Sequence, residues 1–277
     1  MLQKVAFIGL GLIGGSIARA IREKYPGITL AARTASAKTL AYAADSGIIQ
    51  ETPGSLALLA RDADLIIIAT PIELILDYLK QVYPLCKPEA IIIDTGSTKQ
   101  QIVEGAKKYA DKFIGCHPLF GSEKTGIEYA DSALLKGARF VFTPLQNTPE
   151  TKLLTVLKFF KRLGARPCRA GAGEHDEAVA AISHVPYFNA VALLQLADND
   201  AKRALAATGF QSCTRVAESD PVWGAAIART NKKAILRGLK NLQKELRWLA
   251  TLIGKNQIKE LIRYLEVSRQ IRREIYK

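Results

Sequence analysis

Short apolar runs alternate with amphipathic stretches over the first 170 residues. The runs Lys4–Gly9, Thr29–Arg33, Leu65–Ala69, Ala90–Asp94, Phe113–Cys116, Ala138–Thr143 and Arg166–Arg169 are mostly rich in β-branched residues with little polar alternation, as strands buried on both faces of a sheet require. Between them, helical periodicity covers Ile13–Lys24, Ala35–Ser46, Leu74–Tyr83, Lys99–Tyr109 and Glu150–Leu163. This alternation predicts an α/β fold, a doubly wound parallel sheet of Rossmann type. After Gly171-Ala172-Gly173 the strand signals stop and the rest reads as helix. Two domains are therefore expected, 1–170 and an all-helical 171–277, in keeping with the length of 277 residues.

Within the helical part, Ile235, Leu239, Leu242, Leu246, Leu249 and Ile253 recur at alternating steps of four and three. That spacing suits either packing within one subunit or a coiled-coil-like seam. A second stripe, Ile258, Leu261, Ile262 and Leu265, would need still more core, which favours a homodimer through the helical domain.

Composition adds three points. No run approaches the ~18 uninterrupted apolar residues of a membrane span and the start passes straight into a strand, so neither a transmembrane helix nor a signal peptide is expected and the cytoplasm is the default location. The four cysteines, Cys86, Cys116, Cys168 and Cys213, are far apart, which speaks against a metal site or a disulfide framework and for reduced thiols. The net charge is +13, and from Arg229 to Lys277 fourteen Lys and Arg face only four Glu. Because those charges interleave with regular apolar positions and no nucleic-acid motif accompanies them, they read as a solvated helix face that steers small anions toward a cleft, with no nucleic acid as partner.

The most informative motif is Gly9-Leu10-Gly11-Leu12-Ile13-Gly14, which follows the strand VAFI and opens a helix. This context makes it a dinucleotide-binding turn. Gly9 permits the tight turn, Gly11 the approach of a pyrophosphate and Gly14 close helix packing, while the amides from Leu12 and Ile13 onward meet the phosphates. At the end of the second strand, where an NAD site usually carries Asp or Glu, the chain has Ala32-Arg33-Thr34. A guanidinium and a hydroxyl there favour NADP, with NAD possible. Thr70-Pro71 and Gly96-Ser97-Thr98-Lys99 occupy further strand ends, where doubly wound sheets bind ligands.

Three histidines exist. His117, just after a short strand, either removes a hydroxyl proton or marks a structural turn with Pro118 and Gly121. His175 and His184 are nine residues apart, on opposite faces of a regular helix at about 100° per residue, so only one can face the cleft unless the helix distorts. Pro186 supplies a cause for distortion near Ile182. His175 otherwise reads as a helix cap together with Asp176. Arg215 is either a carboxylate clamp or one of many surface arginines.

Together, GLGLIGGS at Gly9–Ser16, DTGSTK at Asp94–Lys99, GCHPLFG at Gly115–Gly121, HDEAVAAISHVP at His175–Pro186 and TRVAESDP at Thr214–Pro221 resemble the prephenate and arogenate dehydrogenase family over nearly the whole chain. The resemblance implies NAD(P)-dependent oxidative decarboxylation on the way to tyrosine. It implies that His117 deprotonates the C4 hydroxyl, Ser97 orients it, Arg215 holds a substrate carboxylate, and His184, Tyr187 and Gln211 line the substrate site. It also implies a dimer through the helical domain. Many relatives carry histidine where this chain has Tyr187, Asp where it has Ser212 and Trp where it has Gly224, beside a shifted Trp223; this pattern resembles the NADP-dependent arogenate enzymes of cyanobacterial type. A β-hydroxyacid dehydrogenase would need a lysine on the first helix of the helical domain, and Glu174 to Leu196 has none. A non-catalytic NADP sensor would not need Ser97, His117 and Arg215.

Overall fold

The computed structural model describes residues 2–121 and 124–276. Among them, seven strands, β1 (Lys4–Ile8), β2 (Thr29–Arg33), β3 (Leu65–Ile68), β4 (Ile91–Asp94), β5 (Phe113–Leu119), β6 (Arg139–Thr143) and β7 (Arg166–Arg169), form one sheet in the order β2-β1-β3-β4-β5-β6-β7. The reversal between β1 and β3 is the switch point that doubly wound folds use for ligands. Alternate residues feed two cores. Val5, Phe7, Leu65 and Ile67 pack on one face, and Ala6, Ile8, Ile66 and Ile68 on the other, so every position from Val5 to Ile8 and from Leu65 to Ile68 is apolar.

The sheet departs from a wholly parallel one at β6, which runs antiparallel to β5. Among the described residues no helix crosses the sheet between them; the 3-10 turns Ile127–Tyr129 and Ser132–Leu135 pack instead against α1 (Leu12–Lys24). Without such a crossover a chain re-enters a sheet antiparallel. The pairing draws β5 out to Leu119, so His117 lies within the strand opposite Val141 and not beyond its end as the sequence suggests.

The remaining helices on the sheet are α2 (Ala37–Asp45), α3 (Leu56–Ala60), α4 (Ile72–Val82), α5 (Gln100–Gly105) and α6 (Glu150–Arg162). After β7 come α7 (Ala172–Val179), a π-helical turn (Ala180–His184), α8 (Val185–Leu194), α9 (Asp200–Ala204), α10 (Thr208–Thr214), α11 (Pro221–Thr230), α12 (Lys232–Gly254) and α13 (Ile258–Ile275). From Ala172 to Leu194 the helix is continuous and, by length and composition alone, apolar enough to cross a membrane, a property the search for uninterrupted apolar runs does not detect. Its buried polar groups, His175, Asp176 and His184, instead meet the sheet's loops and α12.

The helical part has a thin core, in which Ala180, Ala234 and Ile235 pack with Phe188 and Leu239. The leucine stripe of α12 thus divides: Ile235 and Leu239 belong to this core, whereas Leu246 and Ile253 are 52% and 64% exposed. Ile258, Ile262 and Leu265 on α13 are exposed as well.

Candidate active site

The glycine turn is built as its sequence requires. Gly9 has φ +92°, and a Cβ there would run into the Ala69 carbonyl; a Cβ on Gly14 would lie 2.7 Å from the Gly9 carbonyl oxygen. At Gly11, by contrast, a Cβ would meet nothing within 4 Å, which leaves open space at the start of α1. That helix has no side-chain cap and no acidic residue in its first turn, so its N-terminal amides and dipole face the opening. Thr70 Oγ1 beside it is buried with no hydrogen-bond partner among the described residues. An open cradle, uncapped amides and an unsatisfied hydroxyl fit a dinucleotide's phosphates. Arg33 adjoins this turn, since its carbonyl accepts from the Gly9 amide at 2.8 Å. Its guanidinium gives one N–H to the Pro53 carbonyl at 2.7 Å, and Thr34 follows it, half-buried.

The loop after β4 is fixed by a buried ion pair. Asp94 and Lys99, both 0% exposed, are joined by a direct salt bridge. Asp94 accepts from the Gly96 and Cys116 amides at 2.8 and 2.9 Å, and Lys99 Nζ donates to the Cys116 carbonyl at 2.8 Å. Every charge is thus matched, as burial of an ion pair demands. The loop carrying Ser97 is tied to the residue immediately before His117. Trp223, on α11, donates its indole N–H to Ser97 Oγ at 3.1 Å.

His117 is half-buried and makes a contact that sequence spacing does not reveal. Its Nδ1 lies 2.9 Å from His175 Nε2, and His175 Nδ1 lies 2.8 Å from Asp176 Oδ1. Asp176 in turn accepts from the Lys99 and Gln100 amides at 2.7 and 2.9 Å, so this chain of groups crosses from β5 through α7 back to the Ser97 loop. His175 is therefore no helix cap; the Gly171 amide at that end meets the Glu174 carboxylate instead. Burial, then His175, Lys99 and His184, hold His117 well below the usual imidazole range, so it stands neutral near neutrality.

Both helix histidines are buried because the π turn intervenes. Ala180–His184 centres on Ile182, whose carbonyl the Pro186 nitrogen cannot serve. One extra residue rotates the helix by about 100° and brings His184 back toward the face of His175. His184 Nδ1 lies 3.3 Å from Asn231 Nδ2, which also donates to the Asp176 carbonyl at 2.7 Å. Burial pushes the His184 pKa down to about 4, against the opposing pull of Asp176. With Asn231 donating to Nδ1, the neutral ring carries its proton on Nε2.

Tyr187 is buried and packs edge-on against Trp223, ring centroids 5.3 Å apart. A Cβ on Gly224 would lie 2.5 Å from its hydroxyl oxygen, so the tyrosine fills the space a larger residue at 224 would take. Gln211 and Arg215 are exposed, on α10 and on the 3-10 turn Arg215–Glu218 that packs against α8. Sequence reasoning proposes Ser97, His117 and His184 as site residues but does not foresee the links through His175, Asp176, Asn231 and Trp223. For the first of these the acidic neighbour of His175 and the nearby proline are the available signals.

The doubly wound sheet and its glycine turn make this a dinucleotide-binding fold, with a neutral, half-buried histidine and a serine loop at the sheet's edge. Residues 17–168 match the model of the prephenate dehydrogenase nucleotide-binding domain, and residues 171–267 that of the prephenate dehydrogenase dimerization domain. The chain belongs to the prephenate dehydrogenase family. It is 34% identical to the prephenate dehydrogenase of Lactococcus lactis, across all of this chain and 79% of that protein. The solved structure of prephenate dehydrogenase from A. aeolicus, in complex with hydroxyphenyl propionate and NAD+, superposes with a TM-score of 0.90 at 26% identity and 99% coverage of both chains. Synechocystis arogenate dehydrogenase gives 0.85 at 33% identity, covering 98% of this chain and 99% of that one.

Proposed function

We propose that this protein catalyses the NAD(P)-dependent oxidative decarboxylation of arogenate, prephenate or both, to tyrosine or 4-hydroxyphenylpyruvate, with NADP favoured over NAD and arogenate over prephenate. The observation that carries the reading is His117, neutral and half-buried, on the sheet edge that also holds Ser97 and the dinucleotide turn. Gly9, Gly11, Leu12, Ile13, Gly14 and Thr70 would hold the cofactor, with Arg33 and Thr34 toward the adenosine ribose. When bound, its nicotinamide accepts the hydride from the substrate's C4.

His117 takes the C4 hydroxyl proton as that hydride leaves. A strongly basic imidazole is unnecessary, because loss of hydride makes the hydroxyl far more acidic. The ring carboxylate then departs as CO2, its bonding electrons complete the aromatic ring, and His117 returns the proton to the phenolate oxygen. Aromatisation makes the sequence effectively irreversible. Ser97 Oγ, already accepting from Trp223, has its own proton for the substrate hydroxyl. His184, neutral with its proton on Nε2, donates without adding positive charge beside His117. Tyr187 acts by supporting Trp223, and Gln211 and Arg215 receive the substrate's side-chain end and carboxylate.

The division at 170/171 separates the cofactor-holding part from the helical part. The exposed stripes of α12 and α13 are the homodimer seam, and the enzyme works in the cytoplasm. Comparing kcat/KM for both substrates with both cofactors tests the reading. The highest value is expected for arogenate with NADP; a preference for prephenate or for NAD would overturn that part, and no turnover with any pair would overturn the whole.

A further inference from the structure

We infer that His175 and Asp176 are positioning residues, which hold His117 in the tautomer protonated on Nδ1 and carry its charge while it keeps the substrate proton. The inference rests on the dehydrogenase reading for its consequence but not for its geometry. An ionised carboxylate only accepts hydrogen bonds. Asp176 takes the amides of Lys99 and Gln100, and its Oδ1 at 2.8 Å from His175 Nδ1 makes that nitrogen the donor. In the neutral ring, His175 Nε2 is then bare. Its partner at 2.9 Å, His117 Nδ1, must be the donor of that bond. The remaining nitrogen of His117, Nε2, is left with its lone pair for a substrate proton. Fixing which nitrogen is bare through the bond made by the other is what an orienting carboxylate does for a catalytic histidine; here a second imidazole stands between them.

The same chain handles the charge. When His117 Nε2 gains a proton, the Nδ1 proton can cross the 2.9 Å bond to His175 Nε2, which moves the positive charge beside the Asp176 carboxylate. When the phenolate takes its proton back, the transfer reverses. One proton is lent and one returned, and no other bond changes. Because the Asp176 oxygens are held by amides of the Ser97 loop, the chain is complete only when the helical part is seated on that loop.

His175→Gln and His175→Phe separate this role from simple packing. The glutamine amide oxygen can stand near the lost Nε2 and accept from His117 Nδ1, whereas phenylalanine keeps the volume without an acceptor. His175→Phe is expected to lower kcat about a hundredfold or more with little change in the KM for cofactor, and His175→Gln to recover about tenfold of that loss. Since the chain has three histidines, 15N NMR of the imidazoles reads the tautomer directly. Wild-type His117 should carry its proton on Nδ1, and in His175→Phe that preference should vanish. Equal kcat for the two variants, a kcat for His175→Phe within about threefold of wild type, or Nε2-protonated His117 in the wild type would overturn the proposal. A wild-type protein with no turnover would sink the dehydrogenase reading, while the NMR result still decides the tautomer.

Discussion

Acid should destabilise this protein through His184 by an amount the structure sets. The side chain is 1% exposed, and its pKa is lowered from 6.5 to about 4 by burial and to a lesser degree by His175, with Asp176 opposing. Above pH 6.5 the folded and unfolded forms are both neutral here and the group costs nothing. As pH falls from 6.5 toward about 4 the unfolded chain binds a proton that the folded one refuses, so stability falls with pH through that window. At ~1.4 kcal/mol per pH unit the loss reaches about 3 kcal/mol. His184→Asn removes the titration, and its side-chain oxygen can still accept from Asn231. Urea unfolding at fixed protein concentration, from neutrality to pH 4, should therefore find the wild type losing about 3 kcal/mol more than the variant. His117, lowered in the same direction, contributes to both proteins and largely cancels. Parallel losses would refute the reasoning, because they would mean that His184 is protonated in the folded state.

Arg33→Ala should raise the KM for NADP about tenfold or more, the worth of one charged hydrogen bond, and leave that for NAD nearly unchanged; equal effects would remove the basis for the cofactor preference. Gly224→Ala forces a Cβ to 2.5 Å from the Tyr187 hydroxyl oxygen and should cost about 1–3 kcal/mol as overpacking. In a Tyr187→His background that cost should fall by about 1 kcal/mol, read by thermal or urea unfolding, and strict additivity of the two changes would show that the residues do not compete for space.

Much of this fold is written locally. Strands such as LIII at Leu65–Ile68, buried on both faces, can be little else, and the glycine turn specifies its own backbone through Gly9 and Gly14. The direction of β6 is not written this way. Its residues RFVFT would pair as well in either sense, and what decides is the lack of a crossover helix before it. Ser97 and His117 stand out in the sequence because each follows an apolar strand run toward the carboxyl edge where doubly wound sheets bind ligands. The contact between His117 and His175 depends on how the helical part seats on the sheet and on one extra residue in a helix turn. Pro186 announces a break near Ile182 but not the rotation it produces. Asn231 and Trp223 act on His184 and Ser97 from distant helices, and nothing in their immediate sequence distinguishes them from packing residues.

The claim that hydride transfer and loss of the ring carboxylate belong to one reaction, run from His117, is met most directly by stoichiometry. With arogenate and NADP, the absorbance of the reduced nicotinamide and the CO2 released should rise together in equal amounts, and both should disappear in His117→Asn while that variant still binds NADP. Reduced cofactor without CO2, or unchanged turnover in His117→Asn, would contradict the account.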